Sequence, residues 1–249
     1  MRFTFILIII VLLIISITNM YVTVEGPSLA YIIFPLSVWA FISLVIAYLE
    51  KKAFSYVKSN FKRKSISLSL LLYLPVHLII YSLAIEKLLS FIFGYQGIFS
   101  SAQVLFTYTP FPPTLTGFIL TVLFDPSLDL FIPPVYYLSL TPFSIITAVI
   151  ISFIVSANIG KIIELVKSKL KVIRQIGVVL SLGLIAGSTC CLSLPSLIAL
   201  YTPFLSNLAY NTKTGETILA LYFLLPLITI VVLSDQFRRV IELDKVVNK

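Results

Sequence analysis

Charge is what this sequence has least of. Only 11% of its 249 residues are Asp, Glu, Lys or Arg, against 59% hydrophobic, and the mean hydropathy is +1.08. Soluble domains carry about 25% charged residues, so this composition excludes a water-covered globule and requires lipid as part of the solvent. Histidine occurs once and methionine only as Met1 and Met20, which excludes a self-contained haem protein with two axial histidines. The two cysteines are neighbours, Cys190 and Cys191, so no disulfide framework can be built. No Asn-x-Ser/Thr sequon occurs, which leaves glycosylation unsupported. Equally absent are a phosphate-binding glycine loop, a His-Glu-x-x-His helix, a Gly-x-Ser-x-Gly elbow and paired carboxylates at catalytic spacing. The residues therefore assign no enzymatic reaction.

What the chain does contain is long uncharged runs. A membrane-spanning helix needs about 20 apolar residues. Six runs approach or meet that length: Phe3–Thr18, Leu29–Leu49, Ile66–Ile85, Tyr136–Gly160, Ile176–Leu205 and Thr217–Ser234. They predict an all-α, polytopic transmembrane helical bundle forming one integral membrane domain. The first run also resembles a signal-peptide core, but no small-x-small cleavage site follows it, and it is read as a retained span.

The basic residues set the orientation. Lys51, Lys52, Lys58, Lys62, Arg63 and Lys64 lie between spans two and three, and Lys161, Lys167, Lys169, Lys171 and Arg174 between spans four and five. Arg238, Arg239, Lys245 and Lys249 follow span six, Arg2 precedes span one, and the opposite side holds only Lys87 and Lys213. Lys and Arg resist translocation. The expectation is a cell-membrane protein with both termini and the basic loops 50–65 and 161–174 in the cytoplasm. The net charge of +8 is thus spent on topology anchors, and direct nucleic-acid binding is not predicted. Those loops read as amphipathic helix extensions, suited to anionic headgroups or a cytoplasmic partner.

Residues 88–135 are apolar but broken by Pro110, Pro112, Pro113, Pro126, Pro133 and Pro134. They are read as an external, partly helical cap that lies at the interface or re-enters the bilayer. Two additional crossings here, eight spans in all, are the alternative.

Helices in lipid approach one another at small residues. Ser144, Ala148, Ser152, Ser156 and Gly160 form such a stripe on span four, and Gly183, Gly187 and Cys191 on span five. The two stripes are expected to pair, or to mate with a second copy or another subunit.

Three groups stand out as a candidate site. His77 lies about 17 Å along span three, with Tyr73 and Tyr81 on the same face, and Pro75 frees the carbonyl of Leu71 by lacking an N–H. An intramembrane histidine is a functional hypothesis by default, although one bonded to a tyrosine needs no ligand. Cys190 and Cys191 sit at similar depth, and Pro195 deprives the Cys191 carbonyl of its helical donor. Two thiols beside a kink suit Cu(I), Hg(II) or Zn(II). Adjacent helical residues diverge by about 100°, so both sulfurs reach one ion only where the helix unwinds. Cysteines in apolar helices also serve as small hydrophobes.

The segment Ala186-Gly-Ser-Thr-Cys190-Cys191-Leu-Ser-Leu-Pro195 resembles the vicinal-cysteine helix of mercuric-ion transport membrane proteins. The resemblance covers these ten residues and implies that Cys190 and Cys191 accept a soft metal ion within the membrane. The C-terminal half, with Asn158 in a span, a basic loop and a cysteine-bearing helix, is similar to uncharacterised prokaryotic multi-pass membrane proteins. Three functional readings follow: a non-catalytic subunit of a respiratory, secretion or DNA-transfer assembly, a soft-metal or thiol-linked transporter, and a small-solute pore.

Overall fold

The computed structural model describes residues 2–25, 29–80, 83, 91, 100–108, 114–133, 136–167 and 212–247. Among the described residues seven helices dominate: α1 (Arg2–Glu25), α2 (Ala30–Leu49), α3 (Lys51–Ser59), α4 (Lys64–Pro75), α5 (Leu115–Phe124), α6 (Pro142–Lys167) and α7 (Thr212–Val247). Three strands, β1 (Gln103–Thr107), β2 (Ser127–Ile132) and β3 (Tyr136–Leu140), form an antiparallel sheet in the order β1-β2-β3. Helices Ala30–Leu49 and Pro142–Leu165 are long and apolar enough to cross a membrane. The run Ile6–Val22 within α1 is apolar but shorter. Span five of the sequence reading lies outside the described residues.

The chain divides into two units, Met1–Leu49 with Phe99–Ile146, and Glu50–Ile98 with Thr147–Lys249. In the first, α1 and α2 run side by side. Ser16 Oγ sits 2.8 Å from the Leu12 carbonyl and 2.9 Å from Ser37 Oγ, a hydroxyl pair of the kind that joins helices in apolar surroundings. The outer surface of α1 presents Ile6, Leu7, Ile10, Ile14 and Ile17. Such a continuous apolar surface is stable against hydrocarbon or a partner, not water. Helix α5 is started by Thr114, whose hydroxyl accepts from the Gly117 N–H at 3.1 Å. It rests on α2 through Phe118 against Phe34, with ring centroids 5.9 Å apart. Trp39, fully buried, packs its ring on Phe143 at 5.1 Å and donates Nε1–H to the Val122 carbonyl at 2.6 Å.

The sheet departs from the all-helical expectation. The cap was read as partly helical, and helix α5 is there, but β1 and β2 flank it. Tyr136–Leu140, read as the start of a span, is strand β3. The helix begins six residues later than the expected span because Thr141 and Ser144 build a helix start. Ser144 N–H donates to Thr141 Oγ1 at 3.2 Å, and Thr141 N–H donates to Ser144 Oγ at 2.9 Å. This is a reciprocal capping box around Pro142 at the first helical position.

In the second unit, α3 is amphipathic. Ala53 and Val57, four residues apart, are fully buried, whereas Lys51, Lys52 and Lys58 are exposed. Ala53, Val57, Ile66, Ala157 and Phe237 form one core cluster, edged by Tyr56, Phe153 and Ile241. Helix α7 joins it through Phe237 and Ile241, and its buried Ile230, Leu233, Phe237 and Val240 follow a three- and four-residue spacing that keeps one face inward. Its 36 residues span about 54 Å. The helix thus runs on to Val247, past the expected span end at Ser234.

Candidate functional site

His77 and Tyr73 come together as the sequence spacing suggested. Pro75 interrupts the ladder of α4, and Val76–Ile80 continue as a π-helical turn. The Val76 N–H reaches both the Leu72 and Tyr73 carbonyls. A one-residue widening is how a helix accommodates a missing donor. Inside this turn His77 Nδ1 lies 3.2 Å from Tyr73 Oη, with the rings 5.5 Å apart and inclined by 49°. His77 is fully buried and Tyr73 nearly so. This is the geometry of a hydrogen-bonded pair through Nδ1. Tyr81, Cys190, Cys191, Pro195, Gly183 and Gly187 lie outside the described residues. Among the described residues no group of three His, Cys, Asp or Glu side chains is placed to hold a metal ion.

The small-residue stripe on α6 is buried from end to end. Ser144, Ala148, Ser152 and Ser156 expose at most 1% of their surface. Ser144 serves the helix cap, and Ser152 donates to the Ala148 carbonyl at 2.6 Å. At Gly160 the described neighbour is α4: an added β-carbon would meet Ile66 side-chain carbons at 2.6 Å and 2.9 Å. Beside the stripe, Asn158 Nδ2 donates to the Leu233 carbonyl of α7 at 3.0 Å and to Ile154 of its own helix at 2.9 Å.

Several charged residues of the second unit are gathered into ion pairs. Arg63 pairs with Glu164, which also receives Lys161 Nζ at 2.9 Å. Arg238 reaches Glu50 at 3.3 Å, and Arg239 reaches Asp235 at 2.7 Å. Arg63, Lys64, Ser65, Gly160, Ile163 and Glu164 line an open cavity of about 560 Å³. A second groove of about 560 Å³ is lined by Phe54, Ser55, Val57, Lys58, Phe61 and Phe153. In it Phe54 stacks on Phe153, centroids 5.0 Å apart at 19°.

One buried polar centre escaped the sequence reading. Asp129 on β2 is 6% exposed and accepts from Thr107 Oγ1 at 2.6 Å, Ser127 Oγ at 3.1 Å and the Tyr137 hydroxyl at 3.1 Å. Three strands thus supply three hydroxyl donors to one carboxylate, as a buried charge requires. Burial above all, with the nearby Asp129 carboxylate adding to it, pushes the Tyr137 phenol up to about 12. The available signal was the period-two pattern of Ser127-Leu-Asp129-Leu. The network ties the three strands together through one carboxylate.

No known protein family, curated protein or solved structure matches the chain.

Proposed function

We propose that this chain is a six-span cell-membrane protein with both ends and its basic loops in the cytoplasm, acting as a non-catalytic subunit of a larger membrane assembly. The orientation draws support from the ion pairs of the second unit. Arg63–Glu164 and Glu50–Arg238 link the segment after span two, the end of span four and the segment after span six. In a bilayer, segments in direct contact outside the hydrocarbon share one side.

The observation that carries the subunit reading is strand β1. Among the described residues it pairs only with β2, so among them it is an edge of the sheet. Val104, Leu105 and Phe106 on it are 63%, 45% and 61% exposed. An edge strand presents unpaired backbone groups, and natural proteins protect such edges with charge, proline or cover. Here the edge carries apolar side chains instead, which suits addition of a partner strand.

The test is purification from native membrane in mild detergent, after Val104→Lys and Phe106→Glu have been introduced separately. The intact chain is expected to migrate with partners at fixed stoichiometry, and each charged variant to lose them while the helical content is kept. A native chain that migrates as a single copy with no companion overturns the reading.

A further inference from the structure

We propose that the groove between α3 and α6 binds one anionic phospholipid of the cytoplasmic leaflet, with an acyl chain against Phe54, Val57, Phe61 and Phe153 and the phosphate on Lys58. The inference rests on the topology proposed above and goes beyond it by naming a ligand. Four of the six lining residues are apolar and three of those are aromatic, so the surface favours hydrocarbon. The volume of about 560 Å³ falls within the range of small-molecule sites. The groove lining combines these apolar side chains with Lys58, the pairing of hydrocarbon surface and positive charge that a lipid's chain and headgroup require.

The charge at the outer end chooses the headgroup. Lys58 is exposed at the rim and makes no ion pair among the described residues. Lys51 and Lys52 are exposed on the same helix, Lys62 at the turn that follows it and Lys64 at the start of α4. Two acidic groups of the second unit are already engaged: Glu164 with Arg63 and Lys161, and Glu50 with Arg238. The local potential is positive, as for basic segments that recognise anionic lipid. Phe61, 51% exposed beside Lys62, completes an amphipathic pattern of the interfacial kind, apolar side chains beneath and lysines around them.

The full-length chain in mild detergent is titrated with phosphatidylglycerol or phosphatidylcholine of matched acyl chains, and bound lipid is counted by native mass spectrometry. One phosphatidylglycerol is expected to remain bound in preference to phosphatidylcholine. Lys58→Gln should reduce that preference about fivefold, the worth of one basic residue near an anionic surface. Phe61→Ser, a change at an exposed position that leaves the core intact, should lower retention of both lipids alike. Glycerol phosphate, which has the headgroup charge without the chain, should not compete. Equal retention of the two lipids, an unaltered preference in Lys58→Gln, or displacement by glycerol phosphate overturns the proposal. Accessibility labelling of Asn60→Cys, in a chain with Cys190 and Cys191 changed to serine, reads the topology separately. Labelling from outside overturns the orientation and the assigned leaflet together. Labelling from the cytoplasm with no lipid selectivity overturns the lipid site alone.

Discussion

A β-carbon built on Gly160 of α6 would lie 2.6 Å from Cγ1 of Ile66 on α4. Ile66 is fully buried in the cluster with Ala53, Val57, Ala157 and Phe237, and the clashing atom is close to its own backbone, not at the end of a flexible chain. Gly160→Ala should therefore lower stability by about 1–3 kcal/mol through overpacking, read as the unfolding midpoint in detergent. Ile66→Ala in the same chain should recover part of that loss. If the two changes are simply additive, the contact is not as close as the geometry indicates.

Trp39 is held both by packing and by its indole N–H. Trp39→Phe keeps most of the ring against Phe143 but leaves the Val122 carbonyl without its 2.6 Å donor. The expected cost is about 1–3 kcal/mol, against about 3–5 kcal/mol for Trp39→Ala. Equal effects of the two substitutions would show that the hydrogen bond contributes nothing.

Asn158 joins α6 to α7 through Leu233. Replacing it by Leu should weaken the pair by about 0.6–1.7 kcal/mol, the measured scale of hydrogen bonds between helices in membranes. Protection of the α7 amides from hydrogen exchange should fall with it. Unchanged protection would remove this contact from the account.

The Asp129 network makes the sheet sensitive to alkali. Tyr137 titrates at about 12 in the fold against 10.0 when exposed. A folded-state pKa raised in this way means stability that is intact below pH 10 and is lost as the pH rises through 12. Tyr137→Phe should flatten that decline, measured by far-ultraviolet circular dichroism from about pH 9 to 12. Asp129→Ala should cost about 1–3 kcal/mol at neutral pH, because it strands buried hydroxyl groups. An identical alkaline profile in wild type and Tyr137→Phe would separate the phenol from the sheet's stability.

Legibility in the sequence followed the range of the interaction. Helix α2 was readable almost to the residue, because twenty uncharged positions admit one solution in hydrocarbon. The Tyr73–His77 pair was also readable, since a four-residue spacing on a helix is a local relation. Asp129 was not, because Thr107 and Tyr137 reach it through strand pairing across 22 and 8 positions. Strand β3 was missed for a related reason: Tyr136–Leu140 is apolar and runs directly into α6, and a short apolar run has no periodicity that separates strand from helix. The Thr141-Pro142-Phe143-Ser144 cap was the overlooked clue.

Composition and charge placement alone determined that apolar helices dominate this chain and where its basic segments fall, because uncharged length and lysine position act along the chain itself. The tertiary structure alone decided that β1, β2 and β3 pair, that Gly160 receives Ile66, and that Glu164 and Glu50 gather Arg63 and Arg238. Each of these joins residues far apart in order, and only folding brings their backbone groups, side-chain shapes and charges within the few ångströms over which they act.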